Sequence, residues 1–251
     1  VVASGATIGR GADDVVGSHF RDFIQVAGIG DPDEAAQVMA CGVRYLGFPL
    51  RLPVHREDLS EDAAAAIIRS MRPPCFGVPI TYQDDADEIA EFTDFLGAAL
   101  IQLHGDISRD ELVKLRRRRP GLVIIKSLVI GSSDLAELIE LRQRLDGYVD
   151  AFITDTFDAA TGASGATGKT HDWEISRRLI AGSPKPVILA GGLTPDNVRE
   201  AIHRVRPAGV DSHTGVENAS GRKDPARVRR FVDEARAGFG QLQAGRAHPG
   251  A

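Results

Sequence analysis

Short apolar runs recur along the chain at strand length, and a stretch of helical pattern follows each. The runs are FIQVAG (23–28), YLGFPL (45–50), CFGVPI (75–80), ALIQLHG (99–105), LVIIKSLVI (122–130), AFITDT (151–156), PVILAGG (186–192) and AGVDSH (208–213). Stretches such as DPDEAAQVMACG and SEDAAAAIIRSM separate them. Strand-then-helix repetition implies a parallel sheet with helical crossovers. Eight such units predict a closed α/β barrel, the (β/α)₈ TIM-barrel fold, as a single domain over residues 21–240. The Gly/Asp/Ala-rich start is expected to form a flexible arm over 1–20, and QLQAGRAHPGA a flexible tail over 241–251.

Helix-start signals support the count. Asp31-Pro32-Asp33-Glu34 offers an N-cap, a proline at the first helical position and a capping-box acid. Thr194-Pro195 and Asp224-Pro225 repeat the cap-proline device, and Ser108 with Glu111 reads as a second capping box. An open doubly wound sheet would instead favour a Gly-rich turn straight after the first strand. GIGDPD is a poor match to that G-x-G-x-x-G pattern.

Composition narrows the function classes. The chain has 251 residues, 43% hydrophobic and 26% charged, with a net charge of −5. No basic field draws it to nucleic acid or to an anionic membrane. Cys41 and Cys75 do not make a disulfide framework, and no metal-type Cys/His spacing occurs. No apolar run approaches the ~20 residues of a membrane-spanning helix. The opening VVASGATIGRGADDVVGSH has no basic segment followed by an apolar core, so it is not read as a secretion signal. A cytoplasmic protein without cofactor or metal, monomeric or homodimeric, is expected.

In such barrels the chemistry sits at the C-terminal ends of the strands. Alternation puts Gln25 and Ala27 on one face of the first strand, Gln102 and His104 on one face of the fourth, and Ala151, Ile153 and Asp155 together on the sixth. If those faces point inward, Gln25, Gln102, His104 and Asp155 ring the mouth. They then either serve a reaction or hydrogen-bond one another across the barrel. The seventh and eighth units carry glycines next to helix starts, in LAGGLTPDNV and DSHTGVENASG. Free N–H groups there suit a phosphate, with Gly191, Gly192, Leu193, Thr214 and Gly215 as its candidate contacts. Arg56 is either a grip for a substrate carboxylate or a solvated loop residue. Lys126 is either a cation inside the barrel or a partner for a neighbouring carboxylate.

These motifs together resemble the phosphoribosylanthranilate isomerase family of tryptophan biosynthesis over about residues 23–237. IQLHGD (101–106), TDTFDAATGASGATGKTHDW (154–173), LAGGLTPDNV (189–198) and DSHTGVENASGRKD (211–224) carry the resemblance in order. It implies an Amadori rearrangement, in which a phosphorylated sugar amine passes from aminoaldose to aminoketose. An acid must protonate the ring oxygen, and a base must take a proton from the second sugar carbon. The resemblance makes Asp155 the acid, and the glycine loop after it a cover that excludes water. It sets Arg56 near the substrate carboxylate, and Ala27, Gln102 and His104 along the substrate.

The first strand departs from the family pattern. The family ends it Lys-Ile-Cys-Gly, with the cysteine as base, and this chain reads Gln25-Val26-Ala27-Gly28. A methyl group accepts no proton. Cys41 and Cys75 read as small buried hydrophobes rather than replacements. His213 and His55 stand where the family has other residues, and His213 is the better placed to act as base. Three readings follow: the family's isomerase with an altered base, a paralogue acting on another phosphosugar amine with a histidine base, or a non-catalytic phosphosugar-binding barrel. Retention of Asp155 speaks against the last.

Overall fold

The computed structural model describes residues 19–53, 57–131, 133–158, 163–164 and 172–247. Its barrel strands are β1 (Phe23–Ala27), β2 (Tyr45–Pro49), β3 (Phe76–Thr81), β4 (Leu100–Leu103), β5 (Val123–Ile130), β6 (Ala151–Asp158), β8 (Val187–Leu189) and β9 (Gly209–Ser212). The short β7 (Ala163–Ser164) folds back antiparallel on the end of β6. Around the barrel the order is β1-β2-β3-β4-β5-β6-β8-β9, and β9 pairs with β1 to close it. All barrel pairings are parallel, because each strand returns through a helix. Those helices are α1 (Pro32–Ala40), α2 (Glu61–Ser70), α3 (Ala86–Leu96), α4 (Arg109–Arg118), α5 (Leu135–Leu145), α6 (Trp173–Ala181), α7 (Val198–Val205) and α8 (Pro225–Ala247). The expected (β/α)₈ barrel is therefore the observed fold. α8 runs on through 241–247, residues that the sequence reading gave to the tail.

Both faces of the strands are buried, which is why they read as continuous apolar runs rather than alternating ones. Ile24, Val26, Leu46 and Phe48 point outward into a core shared with α1, α2, α7 and α8. Phe23, Tyr45, Val78, Leu100, Ile125, Ile153 and Ile188 fill the barrel interior. Phe23 stacks on Tyr45 with ring centroids 4.0 Å apart, closing the N-terminal end. This parity turns Gln25 and Ala27 inward on the strand that carries Phe23.

The helix caps follow the sequence in part. Asp31 accepts the Glu34 N–H at 2.8 Å with Pro32 opening α1, and Asp224 accepts from Ala226 and Arg227 at the start of α8. The two expected capping boxes are half-formed. The Glu34 carboxylate reaches Gly30 N–H, and that of Glu111 reaches Ala86 N–H on the neighbouring helix. Asp134 and Glu137 make a full box instead. Thr194 starts a turn rather than a helix: Asn197 accepts its N–H at 2.8 Å, and α7 begins only at Val198.

Candidate active site

The C-terminal ends of the strands bring the expected polar residues together. Gln25 Nε2 donates to Gln102 Oε1 at 3.2 Å, and Gln102 Nε2 donates to Ser127 Oγ at 3.2 Å. His104 Nδ1 lies 3.0 Å from the same hydroxyl and 3.7 Å from Asp155 Oδ2. A hydrogen-bonded row thus crosses the mouth from β1 through β4 to β5, and Asp155 on β6 stands at contact distance from its His104 end. Gln25, Gln102 and His104 are nearly enclosed, and the tilted Tyr82 ring packs on His104 with centroids 4.6 Å apart.

Asp155 stands beside this row. Its Oδ1 accepts the Thr156 N–H at 2.7 Å, and its side chain is 14% exposed. Burial pushes its carboxyl up to about 7, although the Thr156 N–H holds it back. A carboxyl in that range is partly protonated near neutral pH. It can therefore give a proton in a way that an exposed aspartate cannot.

A second carboxyl in the mouth is Asp211 on β9, which the sequence reading passed over. Burial pushes it up to about 7, the Asp155 charge pushes in the same direction, and the Gln25 amide and the Lys223 charge oppose both. Among the described residues its Oδ1 is buried without a hydrogen-bond partner. The signal was available in the sequence. AGVDSH was identified as the eighth strand, and its parity sets Asp211 on the same inward face as His213.

Ala27 is buried on the inner face, with its methyl packed where a side chain on Gly47 would otherwise lie. The imidazole of His213 covers the next residue, Gly28. A β-carbon there would fall 2.0 Å from His213 Nε2, so only glycine, with its φ of +78°, admits the ring. His213 Nε2 lies 3.6 Å from Glu217 Oε1, and Lys223 Nζ donates to that same oxygen at 2.6 Å and to the His213 carbonyl at 3.2 Å. The Lys223 N–H in turn donates to Glu34 Oε1 at 2.8 Å. These bonds lock the loop after β9 against α1.

The two glycine loops meet. Ser212 Oγ donates to the Leu193 carbonyl at 2.8 Å, and a β-carbon on Gly215 would sit 1.9 Å from that carbonyl oxygen. Gly191 and Gly192 take φ values of 100° and 63°, and Thr214–Val216 forms a 3₁₀ turn. Among the described residues, the N–H groups of Gly191 and Gly192 have no protein acceptor.

Other candidates fall elsewhere. Lys126 lies on the outer face of β5, its register partner being the outward Leu103. It donates to the Ser127 carbonyl at 2.8 Å, and burial pulls its ammonium down to about 8 against the pull of Asp106. It is not a cation of the barrel interior. Cys41 follows α1 and Cys75 precedes β3, both free thiols packed with the outer core and away from the mouth. Arg56, His55 and most of the loop after β6 lie outside the described residues. Among the described residues no His, Cys, Asp and Glu are grouped to hold a metal ion, and no helix is long and apolar enough to cross a membrane.

Known proteins resemble this chain in sequence and fold. The chain is 38% identical over 218 residues to N-(5′-phosphoribosyl)anthranilate isomerase 2 of Methanosarcina mazei, covering 86% of this chain and 95% of the relative. It is 37% identical over 220 residues to N-(5′-phosphoribosyl)anthranilate isomerase of Haloferax volcanii, covering 87% and 95%. The crystal structure of phosphoribosyl anthranilate isomerase from Thermotoga maritima superposes with a TM-score of 0.72 at 25% identity, over 86% of this chain and 99% of that one. The profile of the N-(5′phosphoribosyl)anthranilate (PRA) isomerase family matches residues 24–234, and with the barrel, the Asp155 mouth and the paired glycine loops it shows that the chain belongs to the N-(5′-phosphoribosyl)anthranilate isomerase family.

Proposed function

We propose that this chain isomerises N-(5′-phosphoribosyl)anthranilate to 1-(o-carboxyphenylamino)-1-deoxyribulose 5-phosphate. The observation that carries the reading is Asp155, a carboxyl raised to about 7 at the mouth of the family's barrel. It protonates the ring oxygen, the C1–O bond opens, and an iminium forms at C1. Loss of the C2 proton then gives an enaminol, which becomes the aminoketone by moving a proton to C1. The change is internal, C1 being reduced as C2 is oxidised, so no external oxidant or reductant enters.

The substrate phosphate sits between Gly191, Gly192 and Leu193 on one side and Thr214 and Gly215 on the other, held by backbone N–H groups. His213 closes the rim between this anion and Ala27, where its ring already covers Gly28. Gln102 and His104 line the sugar side, and His104 orients Asp155. Arg56 takes the anthranilate carboxylate. The protein works without cofactor, as a monomer or homodimer in the cytoplasm.

A second reading has one observation in its favour. Gln25 and Ala27 replace the lysine and cysteine of the family's first strand, which suits a different phosphosugar amine. Growth of a tryptophan auxotroph lacking its own isomerase separates the two. Rescue by this chain, lost with Asp155→Asn, supports the first reading. Failure of an expressed, folded protein to rescue growth, together with no conversion of N-(5′-phosphoribosyl)anthranilate in vitro, sinks it.

A further inference from the structure

The proposed reaction needs a proton acceptor at C2, and Ala27 cannot supply one. We propose that Asp211 is that base, and that the two changes in the first strand belong together with it. The assignment rests on the isomerase reading of the same site.

Four observations carry it. First, β9 lies directly beside β1, with Asp211 in register with Gln25. Gly209, two residues before Asp211 on the same face, packs against the inward Phe23. Asp211 therefore projects into the mouth one inward layer before Ala27, the position that the family's thiol occupies. Second, Asp155 lies beside the inward His104 and Asp211 beside the inward Gln25, both at the C-terminal end of the barrel, and the Asp155 charge is felt at Asp211. A substrate filling the mouth meets an acid and a base together.

Third, among the described residues Asp211 Oδ1 is buried with no hydrogen-bond partner. An enclosed carboxylate oxygen without a donor is costly to keep. Such a cost is typical of groups held ready for chemistry. Fourth, the neighbour of Asp211 on β1 is Gln25, where the family has lysine. An ammonium there would hold Asp211 ionised and make it a poor proton acceptor. A neutral amide leaves it basic. Loss of the cysteine base and loss of the lysine thus have one explanation, since the second change lets Asp211 do what the first removed.

The groups facing Asp211 are Gln25 from β1, Asp155 from β6 and, through charge alone, Lys223 from the loop before α8. Lys223 already donates to Glu217 at 2.6 Å. His213 is the competing base. Its Nε2 faces Glu217 Oε1 at 3.6 Å, and its ring is spread over the Gly28 backbone at the rim.

In chemical terms the C2–H bond breaks, its electron pair forms the C1=C2 bond of the enaminol, and the iminium nitrogen is neutralised. The proton goes to the Asp211 carboxylate. Asp155, having given its proton to the ring oxygen, is left ionised. The pair thus exchanges one proton for another, and the total held in the mouth is unchanged.

The test measures turnover of N-(5′-phosphoribosyl)anthranilate against pH, with a substrate deuterated at C2 for comparison. Asp211→Asn is expected to lower kcat by ~10²–10⁴-fold, as loss of a general base does, with KM changed by no more than ~threefold. The limb of the pH profile that reports the base should vanish in Asp211→Asn and persist in His213→Ala. Ala27→Cys in the Asp211→Asn background should restore turnover at least ~tenfold, with the limb moved towards the thiol range near ~8.5. Gln25→Lys alone should depress kcat in wild type but not in the Ala27→Cys variant. A melt at pH 8 no lower than that of wild type shows that Asp211→Asn is folded. Turnover of Asp211→Asn within ~threefold of wild type, or a base limb lost in His213→Ala and kept in Asp211→Asn, overturns the assignment while the isomerase reading stands. A wild type that leaves N-(5′-phosphoribosyl)anthranilate unconverted overturns the isomerase reading and this assignment with it.

Discussion

The two ends of the barrel interior are built from the same strands and contrast in every other respect. At the N-terminal end the inward positions are Phe23, Tyr45 and Phe76, with Phe20 beneath, and their rings stack. At the C-terminal end the inward positions are Gln25, Gln102, His104, Ser127, Asp155 and Asp211. β1 shows the change over two residues, from Phe23 to Gln25. The aromatic end gains from burial, and its one polar tip is satisfied, since Tyr45 Oη donates to the His19 carbonyl at 3.0 Å. The polar end buries two carboxyls whose charge the surroundings oppose. One end of the barrel supplies stability that the other spends on reactive groups.

Substitutions can break that contrast at either end. The largest effect belongs to the mouth: Asp155→Asn should reduce kcat by ~10²–10⁴-fold while the protein stays folded. Steady-state fluorescence of the anthranilate group would follow it, and unchanged turnover would remove Asp155 from the mechanism. Next comes the aromatic end. Phe23→Ala removes a fully buried ring and should cost about 3–5 kcal/mol of stability in denaturant unfolding. The residual folded enzyme should retain its KM, and a KM that rose with the loss of stability would show that the two ends are not separable.

Smaller effects sharpen the comparison. Gly215→Ala drives a β-carbon into the Leu193 carbonyl and should part the two glycine loops. Phosphate affinity should fall by roughly tenfold, with about 1–3 kcal/mol of stability lost to overpacking. Isothermal titration with inorganic phosphate would measure the first, and an unchanged affinity would place the anion elsewhere.

The last comparison concerns pH. Asp155 and Asp211 both have folded-state values raised to about 7 from about 3.8. Between those values the folded chain holds more protons than the unfolded one, so these groups contribute a loss of stability as pH rises from about 4 to about 7. Asp155→Asn should therefore raise the thermal midpoint at pH 8 and leave it nearly unchanged at pH 4. An equal shift at both pH values would mean that the carboxyl is not the cause.

Much of this was legible before the fold was known. Asp155 could be placed because it ends an apolar run, and a run of that length between helical patterns is a barrel strand. The glycine loops were legible for the same reason. Asp211 was missed although its strand was identified, because a lone aspartate in VDSH reads as a strand end until its neighbour is known. The sequence leaves Lys126 open between a cation inside the barrel and a partner for a neighbouring carboxylate. The inward Ile125 is flanked by the equally apolar outward Ile124 and Leu128, so alternation does not choose.

The sequence by itself determined the eight strand-helix units, the strand ends that carry chemistry and the absence of the family's cysteine at Ala27. These follow from local pattern, since periodicity, caps and glycines act within a few residues of where they stand. Only barrel closure decided which polar groups meet. Pairing β9 with β1 sets Asp211 beside Gln25, carries His213 over Gly28 and brings Asp211 within reach of the Asp155 charge. Those neighbours are far apart in the chain, and burial raises both carboxyls only once the mouth has closed around them. The physical reason is that a carboxyl's basicity depends on the charges and donors that surround it in space, and one strand's sequence contains only some of them.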